Sequence, residues 1–379
     1  MATLAPPRAD QQLKKAPKKQ SRLQFFTLKL HLYLGLASAI FLLILSFTGA
    51  IIGFEQEIPR WLHPNLFYVK PAVRTLPEAQ LIQNVEQKFA PAHVRSIILS
   101  RKPDFAQLML LPANDGDVRA STRVFVNPYT GAVLGSLAGQ TTDEKVLQDL
   151  HSFHLRIGLG DTGKLIVSIA GAVLIFEILF GFVLWWRLKR ATIRLSGSWF
   201  RVFFDAHNAI GIYASLLLLL ISITGVVIGF DFFEPLIFKV THSEPLVQRR
   251  VPNSTPIAGA NPISPDQAID VARKAMPEGI PAGMQLPPGH KGAYLVQMRT
   301  EETAPAVHSF VVVDQYSGNV LGMQKFKSSL GYRVIRFNRS VHTGDILGFW
   351  GHLIMSLTSV VLIVMVLTGI VIWWKKLAI

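Results

Sequence analysis

Four of the chain's 11 histidines stand where an imidazole is costly to keep and useful to have. His31 and His207 each open a long apolar run, as His31-Leu-Tyr-Leu-Gly35 and His207-Asn-Ala-Ile-Gly211. His154 and His342 each precede a glycine-containing stretch, Gly158-Leu-Gly-Asp-Thr-Gly163 or Gly344-Asp-Ile-Leu-Gly348, that leads into another apolar run. Ionisable groups at membrane depth are functional candidates by default, and a neutral imidazole is the cheapest of them to hold there. A single such histidine is explained by snorkelling or an interhelical hydrogen bond. Two matched pairs point to ligation. His63, His93, His242, His290 and His308 lie in long polar segments without partners at ligand spacing and read as solvated loop histidines.

A bare metal ion usually takes three or four protein ligands, whereas haem needs two axial ones and a roomy apolar slot. Gly35, Gly49, Gly211 and Gly225 can clear that slot, although close helix packing explains them equally well. Arg336 and Arg339 lie about two turns and one turn before His342 on a predicted helix, and Arg156 follows His154, so all three are candidate propionate donors. His151 falls at the place of Arg339 in the other half of the chain and is a secondary ligand candidate; His352 is the second choice for the outer site. Glu177 is a lone carboxylate inside an apolar run, which suggests proton handling or a quinone contact, or a protonated side chain bonded to a neighbouring helix.

The elements that must position these residues form an internal repeat. Ser46-Phe-Thr48-Gly49 and Gly53-Phe54-Glu55 in the first run match Ser222-Ile-Thr224-Gly225 and Gly229-Phe230-Asp231 in the third. Trp185-Trp186 matches Trp373-Trp374, which sets Gly181 on Gly369 and His154 on His342. Both copies run in one direction, so a pseudo-twofold axis should stand along the membrane normal, with one residue from each copy at any site on it. His31 and His207 then share a level near the cytoplasmic face, and His154 and His342 a level near the outer face.

The four runs, Leu30 to Phe54, Leu165 to Trp186, Ile210 to Phe230 and Leu353 to Trp374, each hold enough residues to cross about 30 Å of hydrocarbon. A composition of 50% hydrophobic and 16% charged residues lies outside the soluble range. Short basic segments place both termini in the cytoplasm: Lys14, Lys15, Lys18, Lys19 and Arg22 before the first run, Arg187 to Arg201 in the middle, and Lys375-Lys376 at the end. The net charge of +14 fits this pattern and contact with anionic lipid, and no basic cluster is interleaved with aromatics as for nucleic acid. The first run is too long for a signal peptide. With no cysteine, disulfides, iron–sulfur clusters, thiolate catalysis and c-type haem attachment are excluded.

The expected order is a basic cytoplasmic tail (1–27), a spanning helix (28–54), an outer module with an interfacial helix (55–162), a second span (163–186), a cytoplasmic loop (187–206), a third span (207–230), a second outer module with an interfacial helix (231–345), a fourth span (346–374) and a cytoplasmic end (375–379). Each outer module opens with a helix after proline, Pro77 to Phe89 or Pro265 to Met276. Each continues into strands joined by the turns Asn127-Pro-Tyr129-Thr-Gly131 and Asp314-Gln-Tyr316-Ser-Gly318.

On these turns, on His31-Leu-Tyr-Leu-Gly35, on Thr48-Gly49, on His207 with Thr224-Gly225, and on Thr368-Gly369 to Trp373-Trp374, the chain resembles the PepSY-associated transmembrane proteins. That family includes the inner-membrane siderophore-iron reductases. The resemblance covers nearly the whole chain after the basic tail. Two positions depart from the pattern: Asn127 stands where the turn usually has Asp, and Phe180-Gly181 replaces the expected Thr-Gly of the second helix. The resemblance implies a membrane α-helical protein, a four-helix bundle of two parallel repeats with two periplasmic α+β PepSY-like modules. It further implies a bacterial inner-membrane protein with two haem b groups that passes electrons outward and reduces ferric siderophore iron, releasing ferrous iron. His31 and His207 would hold the inner haem, and His154 and His342 the outer one. No Gly-x-Gly-x-x-Gly motif occurs, so the electron donor would be quinol or a separate reductase. Two other functions fit the same organisation: a non-redox PepSY binding or regulatory protein anchored by its helices, and a siderophore or metal transporter.

Overall fold

Backbone in hydrocarbon must close its own hydrogen bonds, which the apolar runs do as helices. The computed structural model describes residues 22–100, 102–112, 121–137, 142–189, 191–196, 198–243, 251–299, 309–325 and 329–377. The basic stretch Lys14 to Lys19 and His308 lie outside the described residues. Among the described residues, four helices are long and apolar enough to cross a membrane: α1 (Arg22–Ile52), α6 (Gly160–Leu188), α7 (Trp199–Gly229) and α11 (Phe349–Leu377). Between α1 and α6 come α2 (Glu57–Leu62), α3 (Pro64–Phe67), α4 (Glu78–Lys88), β1 (Ser96–Ile98), β2 (Gln107–Leu111), β3 (Thr122–Val126), β4 (Val133–Leu137) and α5 (Thr142–Arg156). Between α7 and α11 come α8 (Phe233–Val240), α9 (Pro265–Ala275), β5 (Ile280–Gln285), β6 (Ala293–Arg299), β7 (Ser309–Asp314), β8 (Val320–Gln324), α10 (Leu330–Thr343) and a 3-10 turn (Asp345–Leu347).

The loop expected over 187–206 is shorter than its hydropathy suggests. Helix α7 begins at Trp199, after extended backbone at Ser198, because Arg201 and Asp205 set Trp199 to Asp205 apart from the uncharged run yet nothing there opposes a helix. In the bundle, α1 packs on α6 and α11, and α7 packs on the same two, so α1 and α7 face each other diagonally. Leu42, Leu174, Leu218 and Leu362, one from each helix, meet with Ala170 in a buried apolar layer at mid-depth. Phe47, Leu165, Tyr213, Leu216 and Leu357 are exposed on the outside of the bundle, where lipid replaces water as their solvent.

The surface helices return the chain to the bundle. Helix α5 packs on α1 and α6, and α10 on α7, α8 and α11. Each is followed by a tight reversal that lets the next helix start against its end. A Cβ on Gly163 would lie 1.7 Å from Arg156 O and one on Gly351 1.9 Å from Gly344 O, so no other residue fits at either corner.

Outside the membrane spans, alternating strands bury one face against α4 and α9. Leu81 and Val85 of α4 and Ala268 and Ala272 of α9 share a core with Met109, Val124, Met284, Val296 and Val311 of the sheet. The two expected hairpins form as β3–β4 and β7–β8, and Asn127 Oδ1 and Asp314 Oδ1 accept backbone N–H groups across their turns. The strands do not form two separate sheets. They make one antiparallel sheet of eight, in the order β4-β3-β2-β1-β5-β6-β7-β8, joined where Ser96, Ile97 and Ile98 pair with Gln285, Met284 and Gly283. The helices cross the same boundary. Helix α9 carries its own capping box, with Ser264 and Gln267 bonding each other's backbone. Helix α4 starts at Pro77 without a side-chain cap and takes one from the other half, where the Asp266 carboxylate accepts Glu78 N–H at 2.8 Å and Ala79 N–H at 3.0 Å.

Candidate functional site

A hydroxyl in a membrane helix finds its first acceptor in its own backbone, and this fixes the tautomer of three histidines. Thr48 Oγ1 donates to Ile44 O, Thr224 Oγ1 to Leu220 O and Thr368 Oγ1 to Val364 O, each at 2.7 Å. With its proton committed, each hydroxyl offers only an acceptor to the ring beside it. His154 Nδ1 lies 2.7 Å from Thr48 Oγ1, His342 Nδ1 3.0 Å from Thr224 Oγ1 and His207 Nδ1 2.9 Å from Thr368 Oγ1. Nδ1 therefore carries the hydrogen, and His342 Nδ1 also reaches Ile221 O, an acceptor alone, at 3.1 Å. The lone pair is left on Nε2, the form in which an imidazole binds a metal.

Beside each hydroxyl a glycine admits the ring. A Cβ on Gly49 would lie 3.3 Å from His154 Cε1, on Gly225 3.0 Å from His342 Cε1, and on Gly369 3.4 Å from His207 Cε1. The Thr-Gly pair thus orients a ring with one residue and makes room for it with the next. At Gly181 a Cβ would lie 3.5 Å from His31 Cε1, an ordinary contact that alanine would also make. Gly35 and Gly211 have a different task from the slot-clearing expected of them: they receive the side chains of Glu177 and Met365, whose ends would lie 3.1 Å and 2.9 Å from an added Cβ.

His31 lacks the threonine, because Phe180 stands there. Glu177, one turn earlier on α6 and buried, brings Oε2 to 2.8 Å from His31 Nδ1. The approach is off the bonding direction, so His31 Nδ1 and Glu177 Oε1 are without hydrogen-bond partners. A charged side chain at mid-span costs about 3 kcal/mol on insertion scales, so this carboxyl needs a partner, and His31 is the one beside it.

His31 and His207 face each other from the diagonal helices, ring centres 6.3 Å apart and planes at 69°. Two imidazoles each bonded at about 2 Å to one metal atom between them have ring centres a little over 6 Å apart. The other two sit higher, since Gly49 lies about 27 Å along α1 from His31. There, burial and the neighbouring His342 and His151 hold His154 well below the usual histidine range, and burial and Arg339 do the same for His342. Both rings are neutral. Among the described residues no group of three or more His, Cys, Asp or Glu is placed to hold a metal ion.

The secondary candidates separate. His352 has both nitrogens engaged, Nδ1 with Glu57 Oε1 at 2.8 Å and Nε2 with Asp345 Oδ1 at 3.1 Å, so neither is presented to a ligand here. Gln56 and Thr343 complete that buried cluster through Asp345. His151 Nδ1 meets Glu55 Oε2 at 2.6 Å and lacks a glycine cradle. Arg336 lies over the Tyr332 ring, Arg156 pairs with Asp161 at 2.8 Å, and Arg339 is the arginine whose charge reaches His342. Sequence reasoning missed the threonine acceptors and the Glu57–His352–Asp345 cluster. The first had a signal, since Thr-Gly recurs at one place in three of the four spans.

Four helices long and apolar enough to cross a membrane, with an eight-stranded sheet outside them, define a multi-pass membrane protein. The chain belongs to the family described as the PepSY-associated TM region, whose model matches residues 28–376. No curated protein matches it.

Proposed function

We propose that this protein is a b-type dihaem electron-transfer protein of the bacterial inner membrane that reduces ferric siderophore iron on the periplasmic side. In this reading the bundle is two parallel repeats about one axis, both termini are cytoplasmic, and the sheet and its helices are periplasmic PepSY-like modules. One observation supports it: three of four histidines at matched places present Nδ1 to a threonine oxygen, which leaves Nε2 for a ligand, and the fourth, His31, faces His207 with ring centres 6.3 Å apart. His31 and His207 hold the inner haem, His154 and His342 the outer. Haem b between two imidazoles supplies one-electron chemistry between ferric and ferrous iron.

The chain's own residues do the rest. The threonines hold three of the rings in one tautomer, Gly49 and Gly225 make room for two of them, and the leucine layer at mid-depth keeps water from the space between the two levels. Arg339 is the propionate donor best placed at the outer site. The eight-stranded sheet forms the docking surface for a ferric siderophore. Hard oxygen donors hold ferric iron far better than ferrous, so one electron loosens such a complex. The electron enters from quinol or from a separate reductase.

The test is the visible spectrum of protein purified in mild detergent, before and after dithionite, with a pyridine haemochrome assay. The expected result is two b haems per chain with sharp α and β bands on reduction. His31→Ala or His207→Ala should remove one of them, and His154→Ala or His342→Ala the other. Colourless protein from cells supplied with haem overturns the proposal in favour of an anchored binding protein. Substrate flux into sealed vesicles without a reductant would favour a transporter.

A further inference from the structure

Three histidines are hydrogen-bonded to a threonine, the fourth has a carboxyl oxygen 2.8 Å from its Nδ1, and the exception is confined to one half of the chain. At the matched place in the other half, Met365 fills the space over Gly211 as Glu177 fills that over Gly35, and Thr368 does the holding. Packing alone is therefore satisfied by methionine, and a carboxyl group is not needed to fill the volume. Phe180 withdraws the hydroxyl and Glu177 supplies an oxygen at the same ring nitrogen. The two changes belong together.

We propose that Glu177 is a positioning residue that replaces the missing threonine at His31 Nδ1 and thereby makes the inner site richer in electrons than the outer one. This rests on the dihaem reading. A carboxyl acceptor draws the Nδ1 hydrogen more strongly than a hydroxyl does, which gives the imidazole imidazolate character and makes Nε2 a stronger donor. A stronger axial donor favours the ferric state and lowers the reduction potential. The outer site has hydroxyl acceptors on both sides, Thr48 and Thr224, so its potential lies higher. An electron entering at the cytoplasmic level then moves downhill to the outer level, and Glu177 contributes the slope.

The experiment is redox potentiometry with low-temperature electron paramagnetic resonance on the purified full chain. It compares wild type, Glu177→Gln and the double variant Glu177→Met/Phe180→Thr, which transplants the other half's arrangement. Wild type without haem defeats the dihaem reading itself, before the variants are compared. With two haems present, the expected result is a rise in the lower potential in both variants, a changed low-spin signal for that haem, and an unchanged higher potential. Loss of the inner haem alone from Glu177→Gln, repaired in the double variant, is the stronger form of the same result. Unchanged potentials with both haems retained overturn the proposal, as does a shift confined to the higher potential. Glu177→Gln is nearly isosteric and decides the matter if the double variant does not fold.

Discussion

Exchanging Thr48 for valine keeps a side chain's shape and removes one oxygen, which isolates what that oxygen does for His154. Without it the ring keeps only the Leu45 carbonyl as an acceptor, and its hold on one orientation loosens. Outer-shell hydrogen bonds of this kind typically carry 10–100-fold in metal affinity, so Thr48→Val should lose its outer haem about that much more readily to an excess of haem-scavenging apoprotein. The inner haem should stay. His352 answers a different question. Its two nitrogens are spent on Glu57 and Asp345, so His352→Leu should retain both haems and yet lower the melting temperature, by the equivalent of about 3–5 kcal/mol, because two buried carboxylates lose their partner. Loss of the outer haem would restore His352 as a ligand. The four primary histidines were legible from type and matched spacing. The roles of their partners were not, because Thr48 is followed by Gly49 whether it faces lipid or an imidazole, and only the packing of α5 on α1 decides which.

Helices α4 and α9 look like equivalent elements in the sequence, each starting after a proline, but their N-termini are satisfied differently. Asp266 serves α4 from the other half, so Asp266→Ala should cost about 0.5–2 kcal/mol and should loosen α4, not α9, in hydrogen exchange. The same junction is sensitive to pH. Burial, helped by Asp266 and opposed by Gln107 and Arg273, raises the Glu78 carboxyl to about 7. Between the unfolded value of 4.5 and that folded value the folded chain binds the extra proton, so this group's contribution to stability falls as pH rises through the window. Thermal melts of Glu78→Gln between pH 4.5 and 7 should show a flatter slope than wild type. Hydropathy and proline positions were enough to find these helices. A cap lent by a residue 188 positions away has no local signature.

At the scale of the molecule, the junction of β1 with β5 makes one roof over the bundle. It is short, and at Gly283 the strands leave no room for a side chain: a Cβ there would lie 2.7 Å from Ile97 O, a backbone atom that cannot move aside alone. Gly283→Val should break this pairing and raise amide exchange at Ser96 to Ile98, while β6–β7 stays protected. Each half's strands were legible from alternation and turns, but their merger was not, because Ser96 to Ile98 is too short to declare a partner. A shared roof also bears on the transporter alternative, which needs the two halves to rock against each other.

Writing both halves into one chain also releases them from a constraint that binds a symmetric pair. Identical subunits must place the same side chain on both sides of their axis, so a mutation that helps one face is imposed on the other. Here Glu177 stands opposite Met365, Lys164 opposite His352 and Asn127 opposite Asp314. Matched histidines can therefore keep different neighbours, as His31 has Glu177 and His207 has Thr368.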